Sequence, residues 1–336
     1  MFAIHIAGTE IEFGCAPTDT IMRAGLRAGV ALPYECNTGG CGTCKMELIS
    51  GEIVSLRPDS TALAERDRAR HRVLGCQAQP RTDCVVKVRT DPAATDEPRP
   101  AETTGILAAI EEVTHDIREF SFELPAATLF LPGQYALLRV PGVGAQRAYS
   151  MSNTPGSTRW QFQIKRAPGG LATGVLFDQL GTGAQVPIDG PYGHAYLRPD
   201  ASRDVVCIAG GSGIAPVLSI VRGMAETPAL SSHRLHVVYG GRRPADICGE
   251  DVLRALPALQ GRYTYTPVIS SPEDDASRGW TGRTGFVHDA VPEIVGDALP
   301  GCELYFAGPP AMTLAVQRML MQAKVPRTQV HFDQFF

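Results

Sequence analysis

Several features are missing from this chain of 336 residues, and each absence removes a class of function. No stretch approaches the ~18 uninterrupted apolar residues that a membrane-spanning helix needs, so no membrane partner is expected. The opening MFAIHIAGTEIEF has no basic segment followed by an apolar one, so a secretory leader is not expected and a cytoplasmic location is. Cations are not in excess: 31 Lys and Arg face 35 Asp and Glu, for a net charge of -4. That balance argues against a nucleic-acid binder and against an anchor on anionic lipid. No internal repeat and no low-complexity tract is present. Without an oxidising compartment, nine cysteines are expected to bind metal or serve redox chemistry rather than to form disulfides.

With 44% hydrophobic and 20% charged residues, the chain has the composition of two or three ordinary globular domains. Its 35 glycines and 26 prolines suit the tight turns of β-rich and α/β folds. The segment TDPAATDEPRPAE, Thr90 to Glu102, has no large apolar residue and reads as a linker. A second seam is the polar LRPDASRD, Leu197 to Asp204. The expected domains are therefore 1–91, 102–199 and 200–336. In the first, FAIHIAG and IEFG alternate as a hairpin, and DTIMRAGLRAGV has helical spacing with Asp19 or Thr18 as N-cap and Gly29 near its end. CKMELISGEIVSL and CVVKVRT are strand-like. The second segment reads as an antiparallel barrel of period-2 strands. The third alternates strand and helix, the pattern of a doubly wound parallel sheet.

PYECNTGGCGTCK, Pro33 to Lys45, places Cys36, Cys41 and Cys44 in a Cys-x4-Cys-x2-Cys array, and Cys76 follows in LGCQAQP. This is the plant-type [2Fe–2S] spacing, in which one tight loop supplies three thiolates and a remote strand the fourth. Gly39, Gly40 and Gly42 would let the backbone approach the cluster and turn its amides toward sulfur. Zinc is the rival, but a second Cys-x2-Cys pair is missing. Cys15, Cys84, Cys207, Cys248 and Cys302 have no such spacing and read as small buried hydrophobes.

RAYSMSN, Arg147 to Asn153, is expected to set arginine, tyrosine and serine on one strand face, where they could meet a pyrophosphate and a planar ring. A solvated strand face would look similar. APGGLATGVLFDQL then puts Gly169, Gly170 and Thr173 at a helix start, which offers free N–H groups to phosphate. VVCIAGGSGIAPVLSIVRG joins a strand to a helix through Gly210, Gly211, Ser212 and Gly213. It is not the G-x-G-x-x-G fingerprint, yet three glycines in four residues exceed what a plain turn needs. VYGGRRPAD brings Arg242 and Arg243 to the end of the next strand, and FAGPPAM supplies another glycine turn.

The order of these stretches resembles the ferredoxin–NADP reductase superfamily and, more narrowly, the NADH-dependent reductase components of bacterial aromatic oxygenases. The resemblance spans essentially the whole chain. PYECNTGGCGTCK, PGQYALL, RAYSMSN, DGPYGHAYL, GGSGIAPVLSIV and the terminal HFDQFF are most similar to the reductases of toluene monooxygenase systems. There a diiron hydroxylase receives electrons through a small Rieske ferredoxin. The resemblance implies a mixed α+β and α/β architecture: a β-grasp-like [2Fe–2S] ferredoxin domain, an antiparallel β-barrel FAD domain and a doubly wound parallel-sheet NAD domain. It makes Cys36, Cys41, Cys44 and Cys76 the cluster ligands. It assigns FAD to Arg147, Tyr149, Ser150, Gly170 and Thr173, with Phe335 or Phe336 covering the isoalloxazine. NAD contacts would come from Gly210, Gly211, Ser212, Gly213, Ile214 and Ala215 and from Gly308, Pro309 and Pro310; apart from the resemblance, the place of Arg242 at a strand end would let it meet the adenosine ribose. Many superfamily members carry cysteine where this chain has Ala307, so a thiol beside the nicotinamide is absent.

The implied activity is electron transfer from NADH through FAD and the cluster to a Rieske-type ferredoxin or an oxygenase, by a monomer with no protein nucleophile or general base. Arg242 and Arg243 could hold the 2′-phosphate of NADPH, whereas the resemblance implies NADH. The rivals are the reductase of a ring-hydroxylating dioxygenase, a stand-alone flavin reductase and, in a different class, a [2Fe–2S] redox-sensing module. A sensor would not need the glycines of the nucleotide loop.

Overall fold

The computed structural model describes residues 1–90 and 98–333. They form two compact units, one from the described part of 1–102 with 189–192, the other from 103–188 and 193–333. The expected linker falls mostly on 91–97, outside the described residues, and its last two residues already begin a strand. Among the described residues, no helix is long and apolar enough to cross a membrane.

The first unit holds β1 (Phe2–Ile6), β2 (Glu12–Cys15), α1 (Ile21–Arg27), β3 (Lys45–Ser50), β4 (Ile53–Ser55), α2 (Glu65–Arg68), β5 (Arg72–Leu74), β6 (Ala78–Pro80) and β7 (Cys84–Lys87). A five-stranded sheet runs β2-β1-β7-β3-β5, with β1 and β7 parallel and β1 and β2 forming the expected hairpin. Ile4 and Ile6 of β1 and Phe13 and Cys15 of β2 are buried with Ile21 and Met22 of α1, as their spacing dictates. The N-cap of α1 is Thr20, one residue later than expected, because Asp19 accepts the Thr20 N–H (2.7 Å) instead. Gly29 ends the helix at φ +80°, with Gly29 N bonded to Leu26 O and Val30 N to Gly25 O, the Schellman pattern. The pieces α2, β5 and β6, each of three or four residues, are too short to leave a periodic trace in sequence.

The barrel, which apart from residues 101–102 and 189–192 lies in the second unit, holds β8 (Ala101–Glu112), β9 (Ile117–Glu123), β10 (Tyr135–Leu138), β11 (Arg147–Ser150), β12 (Arg159–Lys165), α3 (Leu171–Asp178) and β13 (Gln185–Tyr192). The strand order β11-β10-β13-β8-β9-β12 is closed by a bridge between Met151 and Phe162. Phe120, Phe122, Trp160 and Phe162 fill the interior. The alternate residues Glu119, Ser121, Gln161 and Gln163 share the opposite face, where Glu119 accepts from Gln161 (2.8 Å) and Gln163 (3.1 Å).

The parallel sheet follows, with β14 (Val205–Gly210), α4 (Ile214–Glu226), β15 (Leu235–Gly241), α5 (Glu250–Arg254), β16 (Tyr263–Ile269), β17 (Arg283–Thr284), α6 (Val287–Val295), β18 (Glu303–Ala307), α7 (Pro310–Gln322) and β19 (Val330–His331). Its order is β17-β16-β15-β14-β18-β19. Cys207 and Ala209 of β14 pack with α4 and α5, while Val206 and Ile208 pack with α6 and α7, so the sheet is covered on both faces. The direction of winding reverses between β14 and β18, and in such sheets ligands bind at that switch point, beyond the carboxyl ends of the strands.

Candidate functional site: a thiol cage and a nucleotide switch point

The cysteine loop lies between α1 and β3, and long-range polar contacts fix its shape. The buried Arg23 of α1 donates Nε to Asn37 Oδ1 (3.0 Å) and Nη2 to Asn37 O (3.1 Å), holding Asn37 at φ +54°. Arg57 donates to Thr38 O (2.8 Å) and Ser60 to Gly39 O (2.6 Å). With those carbonyls held outward, amides turn toward sulfur: Thr38 N (3.5 Å), Gly40 N (3.4 Å) and Cys41 N (3.4 Å) all donate to Cys36 Sγ. Thr43 N donates to Cys41 Sγ (3.4 Å). Gly39 and Gly42 have φ of +83° and +80°, a region that excludes most side chains. Gly40 does not share it and contributes through its amide.

Cys76 comes to this loop from the segment after β5, its Sγ 3.3 Å from Cys44 Sγ. The Gln77 amide donates both to Cys76 O (2.8 Å) and to Cys76 Sγ (3.4 Å). The Cys41 thiol and the Thr38 N–H together pull Cys36 well below the ordinary thiol range. The Cys44 thiol likewise lowers Cys76. Two buried donors in the loop, Asn37 Nδ2 and Thr38 Oγ1, have no partner. A close Cys44–Cys76 pair, amides aimed at Cys36 and Cys41 and unspent donors around them fit a sulfur-ligated anionic cluster. The other five thiols behave as expected, with Cys15, Cys84, Cys207 and Cys302 buried, except that Cys248 is half-buried against the Tyr239 hydroxyl (3.6 Å).

On the barrel, the register pairs Arg147 with Leu138, Tyr149 with Ala136 and Ser150 with Tyr135. Arg147 and Tyr149 therefore share a face, but Ser150, next to Tyr149, points to the other. The expectation that all three face together fails on the two-residue period of a strand. Burial raises the Tyr149 hydroxyl to about 12, so it stays neutral. Arg147 meets no carboxylate among the described residues and donates to the carbonyls of Ala145 and Gln146 (both 3.2 Å). The last residues of RAYSMSN do structural work. Asn153 O accepts from Ser219 of α4 (2.7 Å), and Ser219 Oγ in turn accepts from Gly133 N (3.1 Å). Arg222 donates to Ser152 O. Gly169 (φ +67°) opens α3 with nothing within 4 Å of where a side chain would begin, and no side chain caps the helix. That leaves room and amide donors for a phosphate. The Thr173 hydroxyl is already engaged by Ala167 N (3.2 Å) and Gly170 O (3.2 Å). An arginine without an acid partner, a half-buried tyrosine and an uncapped helix start fit a flavin nucleotide.

At the switch point, Gly211–Gly213 forms a 3-10 turn that runs straight into α4, and Gly308, Pro309 and Pro310 lead into α7. The two loops touch: a Cβ on Gly213 would lie 2.0 Å from Ala307 O, and one on Gly210 2.7 Å from Met312 Sδ. Of the three glycines, Gly211 (φ +57°) is the one with open space beside it, its nearest atom being Lys165 Cδ at 3.4 Å. Ser212 lies in the turn, Ile214 and Ala215 begin the helix, and Ala307 closes β18. Beyond β15, Asp246 Oδ2 accepts the backbone N–H groups of Arg242 (2.8 Å) and Arg243 (2.9 Å). Asp333 meets His194 N (3.4 Å), while Phe335 and Phe336 lie outside the described residues. Arg23, Gln77, Ser219, Arg222 and Asp246 were not legible as site residues, since each acts on a partner that adjacency in sequence does not reveal.

Three family models match in the order of the sheets: a 2Fe-2S iron-sulfur cluster binding domain over residues 4–81, an oxidoreductase FAD-binding domain over 104–196 and an oxidoreductase NAD-binding domain over 207–318. The ferredoxin–NAD(P)(+) reductase CarAd of Metapseudomonas resinovorans is 34% identical, with 100% of each chain covered. The ferredoxin–NAD(+) reductase component of the alkene monooxygenase system of Xanthobacter autotrophicus is 35% identical, over 96% of this chain and 98% of its own. Among solved structures, the ferredoxin reductase in carbazole 1,9a-dioxygenase superposes with a TM-score of 0.91 at 31% identity, covering 100% of this chain and 98% of that one. With cluster, flavin and nucleotide modules in this order along its whole length, the chain belongs to the family of ferredoxin–NAD(P)+ reductases that join a [2Fe–2S] domain to FAD- and NAD-binding domains.

Proposed function

We propose that this protein is the reductase component of an oxygenase system acting on aromatic or related hydrocarbons, passing electrons from NADH to a Rieske-type ferredoxin or directly to the oxygenase. One observation carries the reading: a cysteine loop with amides aimed at Cys36 and Cys41, and a close Cys44–Cys76 pair, share a chain with a parallel sheet whose switch-point loops are open at Gly211. Relatives whose names place them in alkene monooxygenase and carbazole dioxygenase systems support the oxygenase assignment and leave both oxygenase types open as partners.

Bound FAD would supply the exchange between a two-electron hydride donor and one-electron carriers. The residues proposed to hold it are Arg147 toward the pyrophosphate, Tyr149 against the ring, Ser150 from the strand end, and the start of α3 at Gly170 and Thr173, where the Gly170 N–H is given to Ala167 O (2.9 Å) and the first-turn amides, Thr173 among them, are the donors. Those proposed to bind nicotinamide nucleotide are Gly210 to Ala215, Arg242, and Gly308 to Pro310. Gly211 permits close approach of backbone to pyrophosphate, and the start of α4 offers its dipole and N–H groups. Ser219 and Arg222 tie α4 to the loop after β11, which fixes one nucleotide site against the other. Cys36, Cys41, Cys44 and Cys76 would ligate the cluster, with their amide donors stabilising negative charge on sulfur.

The purified protein is expected to carry one FAD and one [2Fe–2S] cluster. Cys41→Ser is expected to abolish the visible and EPR signals of the cluster while NADH still bleaches the flavin. If the flavin also ceased to accept hydride, the division of labour proposed here would be wrong.

A further inference from the structure

Two adjacent arginines at the end of β15 have opposite fates. Their backbone N–H groups are both held by Asp246, so neither amide is free to bind a ligand. Arg243 folds onto Asp274, its Nε at 2.6 Å and Nη2 at 2.5 Å from Oδ2. Arg242 has no side-chain partner among the described residues and is exposed. Asp274 is not a stray surface acid. Its loop is laced to the arginines' own segment, with Ser270 N bonded to Gly241 O (3.0 Å) and Ser271 N to Arg242 O (3.0 Å). Ser277 then closes the loop through Ser271 O (2.7 Å) and Asp274 O (2.8 Å).

NADPH differs from NADH by a phosphate on the adenosine ribose, which carries between one and two negative charges near neutral pH. In doubly wound sheets an acid near this strand end suits the free ribose hydroxyl, while an arginine accommodates the phosphate. Two bare arginines would therefore select NADPH. The contact with Asp274 cancels one of them and sets a carboxylate against the Arg243 guanidinium, where it would repel a phosphate drawn to the arginines. Arg243 is exposed, its side chain at 52%, and Asp274 half-buried at 33%, so the pair acts on a ligand's charge more than on the stability of the fold.

Resting on the reading that the switch point binds nicotinamide nucleotide, we propose that Asp274 is a specificity-determining residue: by holding Arg243 it makes a site with two arginines selective for NADH. It acts through Arg243 as a positioning residue and through its own charge. The reach of one carboxylate near a dianion at a wet surface is about tenfold in kcat/KM, ~1.4 kcal/mol.

The test is steady-state oxidation of NADH and NADPH by the full chain, with ferricyanide as acceptor, in the wild type, Asp274→Asn, Asp274→Ala and the double variant Asp274→Asn/Arg243→Gln. The wild type is expected to favour NADH. Both single variants are expected to raise the NADPH:NADH ratio of kcat/KM about tenfold, through a lower KM for NADPH, with the gain fading as salt is raised. The double variant is expected to lose it. A ratio unchanged in both single variants, a gain that survives removal of Arg243, or a wild type that already favours NADPH would each overturn the proposal. Should the wild type oxidise neither nucleotide, the nucleotide-site reading falls with it, whereas NADH oxidation with an unmoved ratio sinks the role of Asp274 alone.

Discussion

Gln77 shows how much of this site is decided one side chain at a time. Its amide can be oriented without ambiguity, because the Cys76 carbonyl accepts only from the nitrogen, and the same nitrogen reaches Cys76 Sγ at 3.4 Å. Among the described residues no other side-chain amide donates to one of the four sulfurs. A hydrogen bond to a ligating sulfur stabilises the more negative, reduced state of a cluster and so raises its potential. Gln77→Met keeps the volume, removes the donor, and is expected to move the cluster potential to more negative values in a redox titration followed by EPR. An unmoved potential in a fully loaded variant would reduce Gln77 to a spacer. The cysteine spacing was legible because ligation chemistry imposes it, and the structure sets Cys44 Sγ against Cys76 Sγ and turns loop amides toward Cys36 and Cys41. Gln77, Arg23 and Ser60 were not, because a buried glutamine, arginine or serine carries no signal until its partner is placed.

Among the elements, the turn between β14 and α4 separates two reasons for glycine that sequence cannot tell apart. Gly213 has an ordinary helical backbone, φ -60°, but a Cβ there would lie 2.0 Å from Ala307 O, a backbone atom of the neighbouring strand that cannot step aside. Gly211 is the reverse: it needs φ +57° but has space around it. Gly213→Ala is thus an overpacking change, expected to cost about 3 kcal/mol, and Gly211→Ala a backbone-strain change of roughly 1–2 kcal/mol. Calorimetry of the holoprotein is expected to rank them in that order, with Gly211→Ala also weakening nucleotide binding. Equal losses would mean that the β14 and β18 loops are not packed as tightly as these distances require. The strand–turn–helix was readable from VVCIAGGSGIAPV because a buried apolar run, a glycine cluster and an early proline each restrict the backbone. Why each glycine stands where it does was not readable, since the reason for one lies in a strand nearly a hundred residues later. RAYS shows the converse: its pattern predicts a strand, which forms, but the two-residue period carries Ser150 to the face opposite Arg147 and Tyr149.

For the molecule as a whole, the consequential division is the one between the cluster unit and the rest. The described residues of 103–188 and 193–333 form one compact unit that holds both the barrel and the parallel sheet, each with its own apolar interior. Within it the barrel and α4 are joined by buried polar contacts at Ser219 and a partly buried one at Arg222. Truncating Ser219 to alanine would strip the buried Gly133 amide of its acceptor, a loss of about 1–3 kcal/mol, so the flavin and nucleotide halves are not expected to separate cleanly. A cut that keeps both halves together belongs before Ala101, where β8 starts. A chain covering residues 98–336 is therefore expected to fold, retain FAD and reduce ferricyanide with NADH. Ferricyanide can take electrons at the flavin, whereas one-electron delivery to cytochrome c is expected to require the thiol cage and to be lost. Rapid cytochrome c reduction by that fragment would show that electrons leave without passing the cluster. A fragment that binds no flavin would show that the barrel depends on residues 1–90 for its site.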